Sequence, residues 1–370
     1  MEEKFEVNVE DVELESATFL EASRRSQAIW EDLPKHPAKY RVMTGDRPTG
    51  ALHIGHLFGT LANRVRIQEL GATVFILVAD YQVLTDRDTA EAIKDNVKDM
   101  MLDYLAVGLD PENGRTFIFS HSHVPELNQL LLPFMSLVTT AELDRNPTVK
   151  EEIKAAGLRQ VNALMYTYPI HQAADILYCK GNVVPVGRDQ LPHLELTRKI
   201  ARRFNERYAS ERPVFPVPAA LLSDLPMVLG TDGQKMSKSR NNAIMIKMTA
   251  EETAKLIKGA KTDTERHISY DPQNRPEVAN LLRLISICAG EAPEAVAERI
   301  GDGGGGTLKK QLTEALNAHL APLRERRAHY AKDPGYVLDV LRRGVARARE
   351  EGIATLNEVR KAMGMAHGLH

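Results

Sequence analysis

Cysteine, net charge and long apolar runs are all scarce in this chain. Cys179 and Cys288 are the only two cysteines in 370 residues. They are too few for a disulfide framework or a four-cysteine metal site, and a reducing cytoplasm is the expected compartment. Lysine and arginine number 48 against 50 aspartates and glutamates, a formal net charge of −2. That balance excludes a globally basic nucleic-acid binder and leaves any such role to local patches. No apolar run approaches the ~20 residues of a membrane-spanning helix. Residues 1–6 are acidic, without the positive start and apolar run of a secretory signal, so no membrane association is expected.

What is present is enough apolar material for two domains, 43% of 370 residues. Residues 1–37 are charged and hold one amphipathic helical segment over 17–30, ending at Trp30, which reads as an extension. From residue 40 the pattern alternates. Short strands are expected at 40–43, 73–79, 116–120, 183–186 and 219–222, and helices at 55–70, 90–105 and 191–208. This predicts an α/β fold with a doubly wound parallel sheet over residues 38–245. Residues 121–180 read as a helical insertion. Beyond 245 only helical periodicity remains, at 249–260, 276–289, 292–300, 308–331, 336–351 and 356–363, predicting an all-helical domain over 246–370. Gly303 to Gly306 read as a flexible turn, because a phosphate cradle needs a preceding strand.

Two short motifs carry chemistry. The first is Pro48-Thr49-Gly50-Ala51-Leu52-His53-Ile54-Gly55-His56, on a strand–turn–helix. That arrangement points backbone N–H groups and a positive helix end at the sheet edge where open α/β sheets bind phosphate. His53 and His56 are three apart and share one face, each able to donate to phosphate oxygens as charge develops. Gly55 leaves a surface flat enough for a purine. No cysteine or carboxylate stands beside the histidines, which argues against a metal pair. The second motif is Lys235-Met236-Ser237-Lys238-Ser239, in a loop (231–241) whose conformational freedom lets two ammonium groups close on pyrophosphate as its charge builds. Either motif alone is a modest signal. In this order they describe a site that holds a nucleoside triphosphate and stabilises departing pyrophosphate.

These are the signature motifs of class I aminoacyl-tRNA synthetases. The blocks Tyr168-Pro169-Ile170-His171-Gln172-Ala173-Ala174-Asp175, Val183-Val184-Pro185-Val186-Gly187-Arg188-Asp189-Gln190 and Leu194-Glu195-Leu196-Thr197-Arg198 narrow the likeness. Over residues 40–365 the chain resembles the tryptophanyl-tRNA synthetase family. The resemblance implies a Rossmann-like catalytic domain and a helical anticodon-recognition domain. It also implies a homodimer, with ATP, L-tryptophan and tryptophan tRNA as partners and Mg²⁺ carried by ATP rather than by the protein. Catalysis would fall to His53, His56, Lys235 and Lys238. ATP would meet Arg47, Thr49, Gly55, His56, Gly187, Asp189, Met236, Ser237, Lys238 and Ser239. Tryptophan would meet Asp175 through its indole N–H, Tyr168 and Gln190 at its ammonium end and Val184 and Val186 as apolar walls, with Met43, Gln82 and Gln172 completing the pocket. A buried carboxylate demands such a donor, since a hydrogen bond to a charged group is worth roughly 1.5–3 kcal/mol. The stretch between the motifs is too short for an editing domain, which an enzyme for the largest side chain needs least.

Three residues depart from the usual bacterial pattern. Arg47 replaces glutamine, Gln82 replaces histidine and Gln172 replaces methionine, so a divergent or auxiliary member with altered tolerance of tryptophan analogues and pocket-directed inhibitors is expected. Clusters at Arg198, Lys199, Arg202, Arg203 and Arg207, at Arg324, Arg326 and Arg327, and at Arg342, Arg343, Arg347 and Arg349 are candidate RNA contacts. Residues 130–138 are a candidate dimer contact or core. Two alternatives remain open at this level: a tyrosyl-tRNA synthetase, and a tryptophan- or RNA-binding regulator without charging activity.

Overall fold

The computed structural model describes residues 9–85, 92–150, 161–222 and 228–368, with the side chains of 9–18 and of Ser239 outside the description. The expected starts of the extension and of the 90–105 helix, part of the helical insertion and part of the link after residue 222 therefore lie outside the described residues. Five strands, β1 (Arg41–Asp46), β2 (Thr73–Val78), β3 (Thr116–Ser120), β4 (Val183–Val186) and β5 (Ala219–Leu222), form one parallel sheet in the order β3-β2-β1-β4-β5. The doubly wound expectation holds. The chain moves outward from β1 through β2 to β3, then returns to the far side of β1 for β4 and β5. The switch point thus lies between the carboxyl ends of β1 and β4, where such sheets open a crevice.

β2 reads TVFILV and is buried from its second residue onward, as a strand covered on both faces should be. After β1 the chain enters α2, which starts as Ile54–His56, passes through a π-helical turn at Leu57–Leu61 and continues as Ala62–Glu69. Helix α3 (Ile93–Val107) leads to β3. Short helices α4 (Pro125–Asn128), α5 (Leu131–Met135) and α6 (Thr140–Asp144) precede α7 (Ala163–Leu177), whose first turn is capped by Asn162 Oδ1 accepting the Met165 N–H at 2.7 Å. Helix α8 (Leu191–Tyr208) follows β4, at the expected boundaries.

The helical region comprises α9 (Ala250–Lys258), α10 (Pro276–Ala289), α11 (Pro293–Ile300), α12 (Gly304–Ala331) and α13 (Pro334–Ala362). Two expectations are corrected here. Gly304, Gly305 and Gly306 form the first turn of the 28-residue α12 rather than a flexible turn. The separate helices expected at 336–351 and 356–363 are one 29-residue helix. Gly352 continues it because α13 lies close against α4 there: a Cβ on Gly352 would sit 2.8 Å from Glu126 Cβ. At Gly344 the approach is closer still, and a Cβ would overlap the Ile118 carbonyl of β3 at 1.8 Å. The change of pattern near residue 245 is therefore not a break in packing. Met101 and Leu105 of α3 share one buried cluster with Leu316 and Leu320 of α12.

The N-terminal segment is likewise bound into the sheet. Helix α1 (Val9–Asp32) lies on the edge strand β5, where Ser26 Oγ accepts the Leu222 N–H at 2.9 Å. Within 130–138, Leu130, Phe134 and Leu137 are core, while Leu132 and Met135 face outward. Among the described residues no helix is long and apolar enough to cross a membrane.

Candidate active site

The two motifs meet. After the rear motif the chain runs antiparallel to the front one, with Ile54 N–H donating to the Ile244 carbonyl at 2.9 Å and Ile246 N–H to the Leu52 carbonyl at 2.9 Å. Met236 then lies over Gly55, its sulfur 3.5 Å from where a Cβ would stand, and Lys238 Nζ lies 3.2 Å from the equivalent point on Gly50. Gly50 has φ +115°, the left-handed region that glycine enters without strain. A side chain at either position would compete for the same space. Lys235 takes the rim: it is 72% exposed, with Nζ 3.9 Å from Asp189 Oδ2.

The rear loop is organised by Asn242, which is buried. Its Oδ1 accepts the Ser237 N–H at 2.8 Å, and its Nδ2 donates to Asp232 Oδ1 at 2.7 Å and to the Lys235 carbonyl at 3.2 Å. From α10, the Asn280 amide accepts the Leu229 N–H at 2.9 Å and donates to the Leu229 carbonyl at 3.2 Å. The base of the loop is thus fixed to the helical region.

The His53 and His56 rings are in contact, centroids 3.8 Å apart and tilted by 40°. Burial pushes His53 down to about 3, helped by His56 and Lys238. Burial also lowers His56, against the pull of Asp46. Both are neutral imidazoles at physiological pH. His56 Nδ1 accepts the His53 backbone N–H at 3.2 Å, which puts its own proton on Nε2.

Beneath them is a network the sequence did not disclose. Asp46 ends β1 and accepts from Arg64 Nη1 at 2.5 Å, Arg64 Nη2 at 3.1 Å and Tyr104 Oη at 2.6 Å. Burial would raise the Asp46 carboxyl, but the Arg64 guanidinium outweighs it and holds the group at about 2. The only available signal was an acidic residue at a strand end followed by an arginine in the next helix.

Across the crevice, Met43 of β1 and Val184 and Val186 of β4 are buried in one cluster with Ala173 and Ala174 of α7. Asp175 of α7 is buried and accepts from His121 Nε2 at 2.8 Å. His121 stacks on His171, centroids 4.5 Å apart. His171 Nδ1 accepts from Gln82 Nε2 at 3.0 Å while Nε2 donates to Asn128 Oδ1 at 2.7 Å. Gln82 is thereby committed to His171. Tyr168 Oη meets His193 Nε2 at 2.9 Å, and His193 Nδ1 meets Asn146 Nδ2 at 3.1 Å. Burial pushes His193 down to about 4. Gln172 and Gln190 are half-buried, Arg47 and Thr49 are half-buried beside the front turn, and Gly187 and Asp189 are exposed on the turn after β4. Donor atoms of His121, His171 and Asp175 lie within 4.8 Å of one another. Both His171 nitrogens are on amides and His121 Nε2 is on Asp175, so hydrogen bonds and ring stacking hold the trio in place.

Many residues of the basic clusters are held in ion pairs within the chain. Arg327 pairs with Asp99 at 2.6 Å and Asp103 at 2.7 Å, Arg343 with Glu112, Arg349 with Glu126 at 2.8 Å and Arg203 with Glu142 at 2.8 Å. Arg326 donates to the Ala106 carbonyl. A separate surface groove of about 660 Å³, to which neither motif contributes a lining residue, is lined in part by Lys258, Arg266, Lys309 and Lys310. Its Asp263 and Glu265 carboxylates pair with Arg275, leaving the groove positive.

The family model for class I tRNA synthetases (W and Y) matches residues 35–321, so α1 precedes the matched region. The tryptophan–tRNA ligase of Treponema pallidum is 40% identical over 347 residues, covering 88% of this chain and 97% of that protein. That of Clostridium longisporum is 41% identical over 340 residues, covering 89% and 98%. The crystal structure of tryptophanyl-tRNA synthetase from Campylobacter jejuni, complexed with ADP and tryptophan, superposes with a TM-score of 0.74 at 29% identity over 88% of this chain and 99% of that one. The Mycoplasma pneumoniae tryptophanyl-tRNA synthetase gives 0.77 at 26% identity over 89% and 99%. The chain belongs to the class I tRNA synthetases of the tryptophan and tyrosine group and, within it, to the tryptophan–tRNA ligase family.

Proposed function

We propose that this protein activates L-tryptophan with ATP and transfers it to the 3′ end of tryptophan tRNA. The observation that carries the reading is the pairing of residues 244–246 with 52–54, which seats Lys238 against the front turn. In the first step a carboxylate oxygen of tryptophan attacks the α-phosphorus of ATP, and the bond to pyrophosphate breaks. No general base is needed, because the carboxylate is already ionised. Positioning and charge stabilisation carry the step.

Neutral His53 and His56 serve as N–H donors to phosphate oxygens, and the positive charge comes from Lys238 inside the site and Lys235 at its rim. ATP enters as its Mg²⁺ complex, the metal belonging to the substrate. Arg47, Thr49, Gly55, Gly187, Asp189, Met236, Ser237 and Ser239 complete the nucleotide contacts. Asp175 accepts the indole N–H, Met43, Val184 and Val186 wall the ring, Tyr168 and Gln190 face the ammonium group, and Gln82 and Gln172 border the pocket. The region from residue 246 is assigned to tRNA recognition. The positive groove at Lys258, Arg266, Lys309 and Lys310 suits an RNA backbone better than the ion-paired arginines do. A cytoplasmic homodimer, with exposed Leu132 and Met135 in its interface, completes the assignment.

Pyrophosphate exchange run in parallel with tryptophan and tyrosine tests the first step, and charging of a tryptophan tRNA transcript tests the second. Exchange with tryptophan alone is expected; exchange with tyrosine alone would overturn the reading. Lys238→Ala is expected to lower kcat for exchange by about 10²–10³-fold, the effect typical of one lost transition-state donor.

A further inference from the structure

We infer that His121 is a positioning residue that sets tryptophan affinity by holding Asp175, an inference that rests on the tryptophan reading of this pocket. His121 follows β3 and is fully buried. Its Nε2–H donates to Asp175 Oδ1 at 2.8 Å. Its ring is packed between Tyr81, stacked at 6.1 Å, and His171, stacked at 4.5 Å. His171 cannot turn without losing both the Gln82 and Asn128 amides. His121 Nδ1 is buried with no hydrogen-bond partner among the described residues, so the ring's orientation is set by the two stacks and the Nε2 bond.

The consequence for Asp175 follows from carboxylate chemistry. An ionised carboxylate offers about four acceptor positions on two oxygens, and a buried one left without a donor is strongly disfavoured. Before substrate arrives, His121 supplies that donor. It occupies one oxygen from a fixed direction, which locks the side-chain rotamer and leaves Oδ2 for the indole N–H. Removing the donor leaves Asp175 to turn away from the pocket, and the cost falls on tryptophan binding. The reacting groups, the substrate carboxylate and the α-phosphorus, do not touch this network, so the chemical step and ATP binding stay as they were. A merely structural histidine would instead lower stability and shift both substrates together.

The test measures pyrophosphate exchange of the full chain with His121→Leu, His121→Gln, His121→Asn and Asp175→Asn, alongside thermal midpoints. His121→Leu is expected to raise KM for tryptophan about tenfold or more, with kcat and KM for ATP within about threefold of the parent, the size expected for one hydrogen bond to a charged group. His121→Gln, whose amide nitrogen reaches Asp175, recovers most of the affinity, whereas the shorter Asn does not. A tryptophan KM unchanged in His121→Leu while Asp175→Asn raises it would overturn the role of His121 and leave the pocket assignment standing. An unchanged KM in Asp175→Asn would remove the pocket assignment itself. If the leucine variant fails to fold, equal tryptophan KM values for the Gln and Asn variants would overturn the inference.

Discussion

Asp46 and Arg64 form a bidentate ion pair, 2.5 and 3.1 Å, that joins the end of β1 to the helix carrying His56. Arg64 is 2% exposed, so each charge depends on the other for its solvation. Breaking such a buried pair from one side costs about 3–5 kcal/mol, because the remaining charge is stranded. Arg64→Leu is therefore expected to lose about that much in urea denaturation. The carboxyl is held at about 2, below its value in the unfolded chain. The stabilisation is therefore complete above about pH 4 and is lost as pH falls from there toward 2. Asp46→Asn should flatten that part of the acid-stability profile.

The histidines act in a different window. His53 and His193 are held down to about 3 and about 4, and His56 and His171 are lowered as well, burial being the first cause in each. A histidine in the unfolded chain titrates near 6.5, so as pH drops below that value the unfolded state takes up protons first. Stability is present above pH 6.5 and falls as the solution is acidified toward 4. For His193, fully buried, the loss approaches about 1.4 kcal/mol per pH unit in that interval. His193→Gln is expected to lower stability at pH 7 and to reduce the slope between pH 6.5 and 4, measured by denaturation at each pH.

The sheet was readable because its strands are short β-rich runs bounded by glycine, proline and charged turns: four of the five expected strands, all but the first, fall within one residue of those found. The motif histidines and lysines were readable because their residue types have few uses in that order. What escaped prediction depends on contacts distant in sequence. Arg64 looks like any helix arginine until Asp46 folds beneath it. His121, His171 and His193 became part of the pocket only when β3, α7 and α8 packed together. Gly304 to Gly306 begin a helix against their own low propensity, because the rest of α12 is buried through Leu308, Leu312 and Leu316. Gly352 suggests a helix end by composition, yet α4 leaves no room for a side chain there.

Asn280 offers a test of how the helical region acts on the rear motif. Its side chain satisfies both the N–H and the carbonyl of Leu229, at the start of the loop that carries Lys235 and Lys238. Asn280→Ala leaves two backbone groups without partners, a cost of about 1–3 kcal/mol apiece where they are buried. The loop, held less firmly, should meet the transition state less often while the tryptophan pocket is untouched. Pyrophosphate exchange is expected to show kcat lowered about tenfold with the tryptophan KM unchanged. A shift in tryptophan KM with constant kcat would mean that Asn280 serves the core rather than the loop.

Helix α1, which precedes the region matched by the family model, closes the sheet. Among the described residues β5 pairs only with β4, and an uncovered edge strand invites pairing with other chains. Ser26 is 3% exposed and lies against that edge, accepting the Leu222 N–H at 2.9 Å and donating to the Leu222 carbonyl at 3.4 Å. Two further contacts hold the helix, Arg188 over the Phe19 ring near its middle at 4.9 Å and Arg66 over the Trp30 ring near its C-terminal end at 4.4 Å. Ser26→Val fills the same space without the hydroxyl and strands both groups of Leu222. It is expected to cost about 2 kcal/mol in denaturation, while KM for ATP and tryptophan stay at parent values. Removal of residues 1–33 should have a larger effect of another kind. The exposed edge is expected to drive concentration-dependent association, seen as high-mass species in size-exclusion chromatography with light scattering. A truncated protein with the same mass distribution and thermal midpoint as the full chain would show that α1 is not needed to cover β5.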